Sequence, residues 1–403
     1  MKLLIRVSDS MNRKACNMSS MEDRYIRMPE ELRQLCGLEV NGFLDLRTST
    51  GEIVTLKISQ AYKEDVESDT VAAYVTSGVF SALKLTNVTK FEQEVEPVDG
   101  ITLGCDPELF LVNRLNGNII NAGDYFRKYD KPGRDGALVE FRPLPSTDEA
   151  IVTDNIFSLI QRSRDVINKG TSNDPGAVML FGMSNYRGVS AGFHLHFGIP
   201  SPLLGKHITK KGIQMQIVKT LDYYVGIPAI IPEGQNDAVR RVSPHIEYGK
   251  PGEARIDNRT LEYRVPGGSL LRHPILTKGI LALGAVVIQD VISRMRVCTN
   301  SFTNLNLMSS TDQLKTIYPN VPNVYELFKT VASIDTTLAF RHLDTIVNDV
   351  AQMVGFGKRK ESLEAFFSYL YSGAQFGHDI ETNWRGYYNE RQPREVDVRS
   401  TSI

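Results

Sequence analysis

Four short segments in the middle of the chain each carry two ionisable residues two positions apart, inside or beside an apolar run. They are Asp106-Pro-Glu108 before Leu109-Phe-Leu-Val112, Glu140-Phe-Arg142 after Ala137-Leu-Val139, His194-Leu-His196 between Phe193 and Phe197, and Glu262-Tyr-Arg264 between Leu261 and Val265. In a β-strand, residues i and i+2 point to the same face. Each segment therefore predicts a strand that buries one face and holds two titratable groups on the other.

One such pair is an ordinary solvated strand face. Four in one region are not, because solvated faces favour Lys, Thr and Ser, and this set is one Asp, three Glu, two His and two Arg with no Lys. Hard divalent cations take carboxylate oxygens with an occasional imidazole. Arginine offers a planar fork matched to phosphate or carboxylate oxygens. Converging acids without a cation would repel one another and raise their pKa values. A metal–phosphate centre resolves that conflict. The His-x-His pair equally suits a Zn2+ hydrolase. The other histidines (His207, His245, His273, His342, His378) fall in no comparable strand pattern, however, and the acid-rich partners suit Mg2+ or Mn2+ better.

A basic constellation precedes the last pair: Arg240 and Arg241, then Tyr248-Gly-Lys-Pro-Gly-Glu-Ala-Arg255, then Arg259. Gly-Lys-Pro-Gly reads as a flexible turn able to approach a ligand closely. The alternative is a surface loop whose arginines pair with Glu247, Glu253 and Asp257. Neither a G-x-x-x-x-G-K-[ST] loop nor a G-x-G-x-x-G fingerprint occurs, so neither familiar phosphate loop would hold a nucleotide.

The 403 residues suggest two to three domains. The 46 basic and 47 acidic residues leave a net charge of −1, which argues against a protein built to coat nucleic acid or anionic membrane. The start is too soon interrupted for a secretory signal, and the most apolar stretch, Ile275 to Met295, carries Lys278, Asp290 and Arg294 and reads as a buried helix. Four cysteines (Cys16, Cys36, Cys105, Cys298) lie far apart, so a reducing cytoplasm is the expected location.

Residues 1–95 read as a small β-barrel-like module. Phe43–Arg47 and Ile53–Ile58 alternate around a Gly turn, and a helix begins at Met28-Pro-Glu-Glu. The order of elements resembles swapped-hairpin barrels of the AbrB type. With twelve Lys/Arg against fourteen Asp/Glu, this module has no nucleic-acid footprint and is expected to be an interaction or packing unit, through which the chain would self-associate or meet a protein partner. Residues 100–285 form the expected core, 286–380 a helical extension packed on it, and 381–403 a polar tail. Helices are expected from Asp148 to Gly170, capped by Ser146 or Thr147, and from Ile213 to Tyr224, stopping before Pro228.

Gly104-Cys-Asp-Pro-Glu108, Asp135-Gly-Ala-Leu-Val-Glu-Phe-Arg-Pro143, Gly192-Phe-His-Leu-His196, Tyr248-Gly-Lys-Pro-Gly252 and Leu261-Glu-Tyr-Arg264 occur in that order. Together they resemble the phage-encoded COOH–NH2 ligase type 2 family, amidoligases with a glutamine-synthetase-like catalytic fold, over about residues 100 to 285. The resemblance implies an α+β fold with a curved antiparallel sheet whose concave face holds metals and ATP phosphates. Asp106, Glu108, Glu140 and Glu262 would then be metal-binding acids, with His196 beside the metal and His194 beside the metal or phosphate. Arg255 and Arg264 would bind phosphate, joined by Arg241, Arg259, Tyr248 and Lys250, and Asp135 is a candidate base. One departure is Asp106, where glutamine synthetases usually carry the longer Glu.

The implied activity is an ATP- and Mg2+-dependent (or Mn2+-dependent) ligase joining a carboxylate to an amine through an acyl phosphate. It would act on small-molecule or peptide substrates in a host cytoplasm, with neither nucleic acid nor membrane as partner. The alternatives are a guanidino kinase-like phosphotransferase and a non-catalytic phage binding or structural protein that keeps the fold.

Overall fold

The computed structural model describes residues 2–18, 25–35, 38–47, 53–68, 72–85, 88–91, 100–170, 174–199, 211–246, 249–256, 260–297, 318, 320–333 and 336–391. The chain divides into two compact units, one of residues 1–98 with 290–319, the other of residues 99–289 with 320–403.

In the first unit, strands β1 (Lys2–Val7), β2 (Tyr25–Met28), β3 (Phe43–Arg47), β4 (Ile53–Gln60), β5 (Ala73–Val75) and β6 (Val88–Phe91) close a barrel in the order β1-β5-β2-β4-β3-β6. β3 and β4 form the antiparallel hairpin that their alternation predicts, with Leu44 opposite Leu56 and Leu46 opposite Val54. β1 with β5 and β2 with β4 run parallel. Inward positions (Ile5, Ile26, Met28, Leu44, Leu46, Leu56, Ile58, Val75) fill the interior, and closure leaves no free sheet edge. Met28 ends β2, and the helix Glu30–Leu35 follows Pro29.

The second unit is built on an antiparallel sheet. Its strands are β7 (Thr102–Asn113), β8 (Ile119–Ile120), β9 (Gly133–Asp135), β10 (Leu138–Glu140), β11 (Val178–Phe181), β14 (Phe193–Gly198), β15 (Ala254–Ile256) and β16 (Thr260–Tyr263), while β12 (Asn185–Tyr186) and β13 (Val189–Ser190) make a separate small ribbon. The order is β15-β16-β14-β7-β10-β9, with β8 and β11 pairing along the second half of β7. The alternation predicted from sequence is present. Leu103, Cys105 and Leu109, Phe193, Leu195 and Phe197, and Leu261 and Tyr263 are buried on one face, leaving the intervening charged residues on the other.

Helices cover the apolar face. The helix Pro274–Val297 crosses the back of β14 so closely that a Cβ on Gly284 would lie 2.7 Å from Phe197 Cζ. By length and composition this helix could span a bilayer, but 89% of its apolar window is buried inside the protein, so it is a core helix. Glu149–Lys169 is helical as expected, although its cap is Asp148, whose Oδ1 accepts the Ala150 N–H at 2.8 Å, and not Ser146 or Thr147.

Two expectations change. The helix starting at Lys211 does not stop before Pro228. It passes through a π-helical turn, Asp222–Gly226, into Ile227–Ile230. Pro228 is tolerated because it opens the new helical segment, where a missing N–H costs least. The region after residue 380 does not begin as a polar tail. Ile380–Arg391 is a helix whose Trp384 is fully buried, stacked near Phe157, with its indole N–H donating to Leu271 O at 2.7 Å. One large aromatic anchors an otherwise polar helix. Between these lie Val324–Val331, Thr337–Val350 and Phe356–Ser372.

Candidate active site

Strand register brings six residues of the four pairs to one face of the sheet. In an antiparallel pair, directly opposed residues share a face. Glu140 lies opposite Glu108, His194 opposite Asp106, His196 opposite Glu262, and Glu262 opposite Arg255. Asp106 and Glu108, from one strand, join the rows. Six of the predicted residues therefore stand in a patch four strands wide, with Arg255 on the fifth strand at its edge.

The centre of the patch is tightly connected. His196 Nε2 lies 2.7 Å from Asp106 Oδ1, and His194 Nδ1 lies 3.5 Å from Glu262 Oε1 and 3.8 Å from Asp106 Oδ1. Arg264 Nε approaches Glu262 Oε1 at 3.1 Å, and Arg255 Nη1 approaches Glu262 Oε2 at 3.3 Å. Ligand atoms of Asp106, His196 and Glu262 all lie within 4.8 Å of one another, a spacing that one cation can bridge. Two carboxylates and one imidazole suit Mg2+ or Mn2+. His194 is outside that triplet, so one imidazole of the His-x-His pair joins it.

Burial and charge set the protonation states. Burial raises the Asp106 carboxyl, but the hydrogen bond and charge of His196 outweigh it and hold the group below its ordinary value. His196 shows the complement: burial lowers it, and Asp106 and Glu262 more than restore it, so it lies above its ordinary value. His194 is pushed down to about 3, chiefly by burial, and is a neutral imidazole near pH 7. Glu108 is pushed up to about 7, first by burial and then by Asp135 and Asp106, against the Gly192 N–H and the charge of Arg240.

Glu108 and Glu140 form a second acidic corner. Glu140 pairs with Arg142, whose Nη1 also donates to Lys128 O at 2.9 Å. Asp135 is exposed on β9 and acts electrostatically on Glu108. Lys250 is half-buried in the turn 249–252. Arg241 is not at the site. Its guanidinium is fully buried in an ion pair with Glu233 and donates to Val331 O and Ser333 O, each at 2.9 Å. Tyr248 and Arg259 lie outside the described residues.

Three contributors were given no role from the sequence. Gly192 donates its N–H to Glu108 Oε2 at 2.6 Å, and a Cβ there would fall 2.4 Å from His194 Nε2. Asp222, in the π-helical turn, accepts from Tyr263 Oη at 2.9 Å and from the Gly252 N–H at 2.8 Å, so the Gly-Lys-Pro-Gly turn is tethered at one end. Arg240 is fully buried and donates to the main-chain carbonyls of Val265 and Arg264. The glycine opening Gly-Phe-His was a readable signal for close approach, whereas nothing local distinguished Asp222 or separated Arg240 from Arg241. Gly192→Ala is expected to displace the His194 ring and lower divalent-cation affinity about tenfold. A Mn2+ titration alongside a melting curve tests this, and unchanged affinity would refute it.

A sheet face on which carboxylates, imidazole and guanidinium groups converge has the make-up of a metal- and phosphate-handling enzyme site. The chain belongs to the phage phiEco32-like COOH–NH2 ligase type 2 family, whose model matches residues 103–385. It is thus a member of a carbon–nitrogen ligase family. The match runs about 100 residues past the segment that the motifs span, so the later helices belong to the family region too. No curated protein sequence matches significantly.

Among solved structures, a bifunctional glutathione synthetase from Pasteurella multocida is 12% identical with a TM-score of 0.33, over 68% of this chain and 52% of that one. A GmaS/ADP complex is 12% identical with a TM-score of 0.34, over 66% and 73%, and a glutamine synthase homologue is 12% identical with a TM-score of 0.35, over 72% and 70%. The chain thus spans about half the length of the glutathione synthetase.

Proposed function

We propose that this protein is an ATP- and Mg2+- or Mn2+-dependent ligase, phage-encoded and acting in the host cytoplasm, that joins a carboxylate to an amine through an acyl phosphate. The observation that carries the reading is the convergence of Asp106, His196 and Glu262 within 4.8 Å, with Arg255 and Arg264 on the same carboxylate. Asp106, His196 and Glu262 would hold one cation, and Glu108 and Glu140 offer a second acidic corner. A bound divalent cation supplies neutralisation of charge on the transferring phosphoryl group.

Arg264 and Arg255 would turn from Glu262 to phosphate oxygens, giving charge-assisted hydrogen bonds where negative charge develops. In the first step a substrate carboxylate oxygen bonds to the γ-phosphorus of ATP, the bond from that phosphorus to the bridging oxygen breaks, and ADP leaves. The amine nitrogen then attacks the acyl carbon, phosphate departs, and the ammonium proton passes to a base. Asp135, exposed beside Glu108, is the candidate for that base.

The test is ADP release measured with the carboxylate and amine pools varied separately. The ligase reading requires both. ADP release with a guanidino acceptor and no amide product would favour the phosphotransferase, and absence of Mg2+-dependent ATP binding would leave the non-catalytic reading.

A further inference from the structure

Arg240 is fully buried in the helix Gln235–Val242, beside the equally buried Arg241. Arg241 has Glu233. Among the described residues, Arg240 has no carboxylate at ion-pair distance. Its Nη1 donates to Val265 O at 2.7 Å, its Nη2 donates to Arg264 O at 3.0 Å, and its Nε is buried without a hydrogen-bond partner among the described residues. Gly249 packs on the same guanidinium: a Cβ there would lie 2.5 Å from Nη1 and 2.8 Å from Cζ, and its φ of +92° already favours glycine. One side chain thus joins the strand end that carries Arg264 to the turn that carries Lys250.

Taking a guanidinium out of water costs several kcal/mol, and two neutral carbonyls offset only part of that cost. A buried cation held in this way becomes useful when a polyanion arrives, because it is oriented in advance and needs no reorganisation. We propose that Arg240 is a positioning residue for the phosphate end of the site: it fixes the Arg264 main chain and the 249–252 turn as one unit and holds a permanent positive charge behind the surface that receives a nucleotide's β- and γ-phosphates. The inference rests on the nucleotide-dependent reading above. It predicts that Arg240 discriminates by phosphate number, which a simple structural prop would not do.

The test is calorimetric titration of the full chain with ATP, ADP and AMP in the presence of Mg2+, using wild type, Arg240→Met and Arg240→Lys, with melting curves for each. Arg240→Met is expected to weaken ATP binding about tenfold or more, ADP binding less, and AMP binding within about twofold. Arg240→Lys keeps the charge but not the two-carbonyl fork, so its loss follows the same order at smaller size. If Arg240→Met does not fold, the lysine variant alone decides. An equal loss for all three nucleotides, or no loss, overturns the inference and leaves the nucleotide reading intact. Wild type that binds none of the three overturns both.

Discussion

Glu262→Gln is expected to lower turnover by about 10^3-fold or more and to abolish tight divalent-cation binding, with little change in melting temperature. The carboxylate is the hub of the patch. It belongs to the cation-sized triplet with Asp106 and His196, and it meets His194, Arg255 and Arg264 at 3.5, 3.3 and 3.1 Å. Glutamine keeps the shape and the strand pairing with His196 and Arg255, so the fold loses almost nothing. It removes the charge that a cation needs, and it frees two guanidinium groups from their resting partner. Cation titration, steady-state kinetics and a melting curve separate these effects. Normal Mg2+-dependent turnover in Glu262→Gln would remove the proposed metal site. The isosteric Glu108→Gln change in the second acidic corner provides the comparison, because it leaves the Asp106–His196–Glu262 triplet untouched.

The site was legible in sequence because its residues obey the strand period. Each i, i+2 pair could be assigned to one face without knowing which strands are neighbours. Register was not legible, because pairing His194 with Asp106 and His196 with Glu262 depends on non-local packing of Leu195 and Phe197 against the helix behind them. That register decides which imidazole joins the cation triplet.

Elsewhere the failures are of the same non-local kind. Pro228 normally marks a helix end, but the π-helical turn before it lets the chain resume. Residues after 380 look too polar to pack, yet Trp384 finds a buried slot and the helix follows it. The near-neutral charge of the chain concealed a site in which acids and arginines answer one another across neighbouring strands.

The adjacent arginines show the limit most sharply. Sequence places Arg240 and Arg241 together before the Gly-Lys-Pro-Gly turn, and the family resemblance adds Arg241 to the phosphate-binding arginines. In the structure Arg241 is buried against Glu233, with both groups 0–1% exposed and with Val331 O and Ser333 O taking its other N–H groups. Glu233 in turn accepts from Ser184 Oγ at 2.9 Å. Arg241→Met is therefore expected to leave a buried carboxylate without its countercharge and to cost about 3–5 kcal/mol, lowering the melting temperature by roughly 10 °C. Adding Glu233→Gln removes the stranded charge and is expected to recover about half of that loss. At a temperature where both variants are folded, the KM for ATP should stay within about twofold of wild type, because the side chain acts on stability and not on the ligand. The opposite pattern, an unchanged melting temperature with a KM raised tenfold, would return Arg241 to the phosphate site and contradict the buried ion pair.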